Sequence, residues 1–205
     1  MKHPFFNARK VDLSLYDPGQ FRRGRPQWFI ALWWIVQSTI FRWSLQPMYG
    51  YRNALLRAFG AKIGRKVRIR ADARFYYPWN VVIGDHSWIG NEAYFYSLDQ
   101  IIVGAHCVIS QQAYLSTGTH DVTDPAFGLI IKPVIIHDGA WVGARAFVNL
   151  GVTVHEHTVI GAMSMVTKDM PARMICAGNP CRPLKERRLI EHVPLDEELF
   201  ELTAC

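Results

Sequence analysis

Cysteine is scarce in this 205-residue chain, and Cys107, Cys176, Cys181 and Cys205 form no Cys-x-x-Cys pair. Their spacing suits no zinc site, and reduced thiols in a cytosolic protein are expected. Charged residues are also few, 20% of the chain against 50% aliphatic and aromatic ones, which argues against disorder. No run approaches the roughly 20 apolar residues of a spanning helix. Residues 1–27 are polar and broken by prolines, unlike a secretory leader. The net charge of +6 comes without any nucleic-acid recognition motif, which makes a nucleic-acid partner a poor reading. What remains is one domain with a modest extension, long enough to bury a real core.

The positive charges Arg22, Arg23, Arg25, Arg42, Arg52 and Arg57 gather near the start. Such a segment suits an anionic membrane surface or a phosphate-bearing substrate, or is a solvated face. Within it, residues 28–36 are nine apolar residues in a row, followed by Gln37-Ser38-Thr39 and Ile40-Phe41-Arg42-Trp43. Trp28, Trp33, Trp34 and Trp43 beside arginines read as a helix lying at the inner face of a bilayer, with residues 28–45 in peripheral contact. The alternative is a helix packed on its own protein or on a sister subunit. A second helical pattern covers residues 51–59 and stops at Gly60.

From Ile63 onward a six-residue period takes over. Ile63, Ile69, Phe75, Ile83, Ile89, Phe95, Val103, Ile109 and Leu115 head successive sixes; after a gap come Ile136, Val142, Val148, Val154, Ile160 and Val166. In a fixed register chance would fill fifteen such positions about once in 30,000 trials, and free choice of the breaks weakens that about a hundredfold. The second position is often glycine (Gly64, Gly84, Gly90, Gly104, Gly143, Gly161), as a corner with positive φ would favour. The fifth is small or medium-sized, as at Val67, Ala93, Cys107, Thr119 and Ser164. Six residues are too few for a core, but three sixes folded as a triangle can bury the large residues along one axis. Five coils of about eighteen residues then start at Ile63, Ile83, Val103, Ile136 and Val154. The expected organisation is an N-terminal extension over 1–60, a solenoid over 61–172 with a loop at 121–135, and a C-terminal segment over 173–205, of which residues 184–205 read as a short mixed-charge helix or tail.

This pattern resembles the left-handed β-helix acyltransferases, specifically the O-acetyltransferase branch with the maltose and galactoside enzymes. Leu55-Leu56-Arg57-Ala58-Phe59-Gly60-Ala61-Lys62-Ile63-Gly64 is more similar to the colanic-acid-type exopolysaccharide acetyltransferases. The likeness spans about residues 50–188. It includes Ser116-Thr117-Gly118-Thr119-His120-Asp121, Val166-Thr167-Lys168-Asp169 and Ala177-Gly178-Asn179-Pro180-Cys181-Arg182. It implies an all-β solenoid, a left-handed parallel β-helix of about five coils, working as a homotrimer with active sites between neighbours. The implied reaction is acetyl transfer from acetyl-CoA to a sugar hydroxyl in surface-glycan synthesis, directly and without an acyl-enzyme. No metal is called for.

Such a reaction needs a base for the hydroxyl and donors for the thioester oxyanion. A histidine beside a loop is commonly an ordinary surface residue; its match to the family motif makes His120 the candidate base. Ser97 and Asp99, one coil earlier, are candidates for orienting it or holding a substrate hydroxyl, or are plain corner residues. The galactoside branch uses an asparagine in this region, and no clean match to it is present. By the resemblance, Ala144 and Ala162 offer amides to the pantetheine arm with Trp141 nearby, while Thr167, Lys168 and Arg182 hold the nucleotide end. Tyr76, Tyr77, Tyr94, Tyr96 and Tyr114 fall in outward columns, compatible with packing against a sister chain.

Rival readings remain. The same fold carries zinc carbonic anhydrases, and His86, His106 and His157 share the outward fourth column, with stacked neighbours about 4.8 Å apart. A non-enzymatic solenoid would not need the His120 motif. As acyl carriers, Cys107 sits in the inward small-residue column and Cys176 lacks an obvious partner base. N-acetylation of a nucleotide-linked amino sugar needs the same base and cofactor as O-acetylation. Contact of residues 28–45 with the plasma membrane would favour a lipid-linked acceptor.

Overall fold

Three short strands per coil, each carrying one large inward side chain, wind residues 62–178 into a triangular solenoid in the computed structural model, which describes residues 11–19 and 21–190. The first face stacks Lys62–Ile63, Val81–Ile83, Ile101–Val103, Val134–Ile136 and Thr153–Val154 in parallel. The second runs from Arg68–Ile69 through Trp88–Ile89, Val108–Ile109, Trp141–Val142 and Val159–Ile160 to Met174–Gly178. The third stacks Arg74–Phe75, Tyr94–Tyr96, Tyr114–Ser116, Phe147–Val148 and Met165–Val166. Register follows the six-residue period: Ile63 pairs with Ile83, Ile83 with Val103, Val103 with Ile136 and Ile136 with Val154. All fifteen first-column residues are buried. Each contributes about 1.5–3 kcal/mol against the entropy of ordering its strand. Five coils are complete and a sixth is begun, with Met170 bridging to Val154 and Met174–Gly178 on the second face.

Two features of the period differ from expectation. Positive φ falls on the fourth residue of the unit, at Lys66 (53°), His86 (60°), His106 (56°), Gly139 (68°) and His157 (56°), and not on the second-position glycines. Those glycines are required by close approach between coils. A Cβ on Gly84 would stand 2.5 Å from the Ala105 amide nitrogen, and one on Gly143 would stand 2.6 Å from Ile160 O. At the C-terminal end, the first three residues of the expected helix or tail, 184–186, are instead part of a strand. Cys181–Glu186 folds back antiparallel on Met174–Gly178, covering the upper edge of the second face. The rest of that segment, residues 191–205 with Cys205, lies outside the described residues.

The lower end of the solenoid explains the N-terminal block. Helix α1 (Gln27–Val36) passes through a π turn at Gln37–Phe41, and helix α2 (Tyr49–Ala58) follows. Ile30, Trp33, Phe41, Leu56 and Phe59 close the first coil from below. An open first coil would leave a row of unpaired strand-edge groups. Polar side chains of the extension meet them on every face. Trp33 Nε1 donates to Phe75 O (2.8 Å), and Gln37 Oε1 accepts from the Phe75 amide (2.6 Å). Arg52 Nε donates to Ile69 O (2.7 Å), Asn53 Nδ2 to Val67 O (2.8 Å) and Arg57 Nε to Ile63 O (3.0 Å). Arg52 is fully buried and Arg57 is bonded to the coil, so neither is a free surface cation. Among the described residues, no helix is long and apolar enough to cross a membrane.

Candidate active site

After Leu115 the chain leaves the third coil, and Gly118–His120 pairs antiparallel with Leu129–Ile131 as a projecting arm. The break expected at residues 121–135 is therefore mostly an ordered ribbon that begins three residues earlier. Thr119, expected as an inward small residue, is exposed on this arm. Two aspartates shape its tip. Asp121 Oδ1 accepts from the Thr123 amide (2.8 Å) and hydroxyl (2.6 Å). Those bonds, the hydroxyl's first, hold its carboxyl below the usual carboxylate range. Asp124 accepts from the Ala126 amide (2.9 Å) and the Gly128 amide (3.1 Å). Turns of this kind suit Asp, whose short side chain reaches the backbone two residues on.

The tip turns Phe127, itself at φ 56°, back over His120. The two rings stack at 4.4 Å with 11° between planes, and Nδ1 of His120 lies 2.8 Å from Phe127 O. A carbonyl oxygen accepts only, so in neutral His120 the proton sits on Nδ1 and Nε2 carries the free lone pair. This is the tautomer a general base needs. Tyr16 packs against the same imidazole at 5.9 Å, brought there by an N-terminal segment in which the Asp12 amide donates to Pro125 O (2.8 Å). Neither Tyr16 nor Phe127 stood out in the sequence, because no period or motif links them to His120.

Ser97 and Asp99 separate in the structure. Ser97 is fully buried, its hydroxyl donating to Tyr77 O and accepting from the Tyr77 amide, both at 2.9 Å. It is a tie between the first two coils and is withdrawn as a substrate ligand. Ser97→Ala is expected to destabilise the fold by about 1–3 kcal/mol with KM for the acceptor unchanged, as denaturant unfolding beside steady-state kinetics would measure. Asp99 is half-buried at the root of the arm, its amide donating to Thr117 Oγ1 (2.9 Å) and its Oδ1 accepting from the Gln100 amide (2.7 Å).

The residues matched to cofactor binding lie on later coils. Trp141 is 46% exposed on the second face, with Nε1 donating to Ser110 Oγ (2.8 Å). At the corner that follows, Gly143 N donates to Ile160 O (2.8 Å) and Arg145 N to Gln111 O (3.0 Å). The Ala144 amide between them has no backbone partner among the described residues. One coil higher, Gly161 N donates to Cys176 O (2.7 Å) and Met163 N to Ala144 O (2.8 Å), leaving the Ala162 amide likewise free among the described residues. Two unpaired amides thus stack along one corner. Thr167 and Lys168 are exposed after the third face of the fifth coil, and Arg182 is exposed on the terminal hairpin. His120 projects from the end of the third face, whereas Trp141, Ala144 and Ala162 follow the second. A triangular prism is convex at its corners, so one chain lines up Trp141, Ala144 and Ala162 beside the second face while His120, Thr167 and Lys168 follow the third.

The tyrosines form a continuous outer wall on the third face. Tyr94 meets Tyr114 at 4.9 Å, Tyr114 stacks on Phe147 at 5.1 Å, and Tyr76 meets Tyr96 at 5.0 Å. Burial pushes the Tyr114 phenol up to about 12, so it stays a neutral hydrogen-bond donor at physiological pH. Tyr77 is buried instead of outward-facing.

His86 and His106 stack at 5.0 Å, 3° from parallel, in a groove of about 740 Å³ that Lys66, Arg68 and Trp88 also line. Among the described residues, no three His, Cys, Asp or Glu side chains stand close enough to hold a metal ion. Burial pushes the Cys107 and Cys176 thiols up to about 11. At pH 8 a thiolate fraction near 0.1% is expected at each. A disulfide reagent should therefore leave both unmodified in the native protein and label them once urea unfolds it.

No family model matches the chain. It is 44% identical over 176 residues to a protein of Escherichia coli strain K12 that bears the name colanic acid biosynthesis acetyltransferase WcaF, covering 86% of this chain and 97% of that one. A hexapeptide-repeat-containing acetyltransferase, VCA0836 from Vibrio cholerae, superposes with a TM-score of 0.73 at 25% identity, covering 79% and 92%. A galactoside acetyltransferase in complex with coenzyme A superposes with a TM-score of 0.71 at 25% identity, covering 80% and 85%.

Proposed function

The chain belongs to the hexapeptide-repeat acetyltransferases, and from this premise we propose that it transfers acetyl from acetyl-CoA to a sugar hydroxyl during surface-glycan synthesis. The observation that carries the reading is the hydrogen bond between His120 Nδ1 and Phe127 O, which leaves Nε2 as the basic nitrogen. In the reaction the acceptor hydroxyl attacks the thioester carbonyl carbon while Nε2 takes its proton. The tetrahedral oxyanion collapses, the C–S bond breaks, and the imidazolium returns the proton to the departing thiolate. The Nδ1–H bond to Phe127 O persists throughout and steadies the cationic ring. No acyl-enzyme is needed, and the raised pKa values of Cys107 and Cys176 are in keeping with that.

We place acetyl-CoA along the corner marked by the free amides of Ala144 and Ala162, beside Trp141. Thr167, Lys168 and Arg182 hold the phosphate-bearing end, the arginine by its forked donors. Since His120 stands off that corner, the working form is a homotrimer in which the arm of one chain meets the cofactor coils of the next. Asp99, at the root of the arm, is a candidate acceptor contact. The protein works in the cytoplasm, where acetyl-CoA is made.

The test is acetyl-CoA consumption measured across lipid-linked and nucleotide sugars, with products identified by mass spectrometry. The expected product carries an acetyl ester, removed by mild alkali. An alkali-stable amide would replace this reading with N-acetylation, and no product from any sugar would end it.

A further inference from the structure

We infer that the outward face of α1 and the turn after it docks the protein on an anionic lipid bilayer. Gln27 is the one polar residue among the ten of α1, and a helix apolar on all sides is stable in water only when covered on all sides. Here one side alone is covered. Ile30 and Trp33, followed by Gln37 and Phe41, face the first coil at i, i+3, i+7 and i+11. Trp28, Leu32 and Ile35 form the opposite stripe at i, i+4 and i+7, and Ile40, Trp43 and Leu45 continue it. Trp28 is 67% exposed, Ile35 60% and Trp43 82%. An exposed apolar surface of this extent marks a contact site.

Charge identifies the occupant. Between Asp17 and Asp72 the sequence has eleven Lys and Arg and no Asp or Glu. Arg52 and Arg57 are committed to first-coil carbonyls and Arg65 to Asp85, which leaves eight exposed cations. Arg22, Arg23 and Arg25 precede α1 and Arg42 follows it, so cations flank the helix and stand within the apolar stripe that Trp43 and Leu45 continue. Apolar side chains entering the acyl boundary, tryptophans at headgroup depth and arginines on lipid phosphates form the usual arrangement of an interfacial helix. Ten helical residues reach about 15 Å, half of a roughly 30 Å hydrocarbon core, so α1 lies in the interface without crossing it. A two-fold contact between copies of this face would set the same cations against one another. The inference stands apart from the reaction, although a surface-bound enzyme would meet lipid-linked acceptors directly.

The full chain is to be sedimented with phosphatidylcholine vesicles, with and without phosphatidylglycerol, while its mass in solution is followed by analytical ultracentrifugation. Binding is expected to be at least about tenfold stronger with the anionic lipid and to weaken with salt. A Trp28→Ser, Ile35→Ser, Trp43→Ser variant should lose it while keeping its far-ultraviolet circular dichroism and its mass. Arg22→Glu with Arg42→Glu should remove the preference for anionic lipid. Absence of wild-type binding overturns the inference, as does binding that survives the serine substitutions. A fall in assembly mass in the serine variant would assign the face to a sister chain and overturn it too.

Discussion

Replacing His120 with Ala is expected to lower acetyl transfer by about 10²–10⁴-fold, with the melting temperature and acetyl-CoA binding nearly unchanged. The arm is held by its own ladder to Leu129–Ile131 and by the turns at Asp121 and Asp124, so losing the imidazole removes the stack on Phe127, the bond to Phe127 O and the contact with Tyr16 but no strand pairing. His120→Asn separates the two roles of the ring. Its amide can still donate toward Phe127 O but offers no basic nitrogen, so it should be as inactive as the alanine variant. Retention of more than about a tenth of wild-type turnover by either variant would remove the general-base assignment.

Arg52→Ala should have the largest effect on stability, with no direct role in the chemistry. The guanidinium is fully buried and donates to Ile69 O (2.7 Å), Ser44 Oγ (2.8 Å), Leu45 O (2.8 Å) and Gln46 O (2.6 Å). Desolvation is the first cause of its lowered pKa, yet an arginine so far above neutrality stays charged. Truncation leaves a cavity and several acceptors without donors, a loss of about 3 kcal/mol or more. For a chain of this length that is a fall in Tm of about 6–12 °C, read by calorimetry at fixed protein concentration. Freed edge groups on the first coil should also make the variant prone to aggregate. A shift under about 2 °C would show that the cap does not depend on this residue.

Much of the solenoid was legible because the six-residue period ties inward position to residue type so tightly. Ile63, Ile83, Val103, Ile136 and Val154 can be aligned on paper and do pair face to face. The glycines show where such reading stops. A column of Gly64, Gly84 and Gly104 signals a backbone requirement, but positive φ and close approach leave the same mark in a sequence. Only the coordinates assign these glycines to contact between coils and the strain to the fourth residue. Thr119 was misplaced because a residue leaving the coil still satisfies a size rule. Ser97 looked like a site residue because a hydroxyl bonded across coils and one facing solvent are the same letter. The nine apolar residues of 28–36 allowed either a bilayer or a protein neighbour, and the two sides of α1 differ.

From the sequence alone come the repeat, the inward columns, the number of complete coils, the interruption after the third and the histidine at its edge. These are local or periodic, and each follows from residues a fixed distance apart. Tertiary structure decided what the edges and ends do: which side chains cap the first coil, that the interruption is a paired arm, and that Phe127 and Tyr16 enclose the imidazole. Those contacts join positions with no common spacing, and packing in three dimensions is what brings them together.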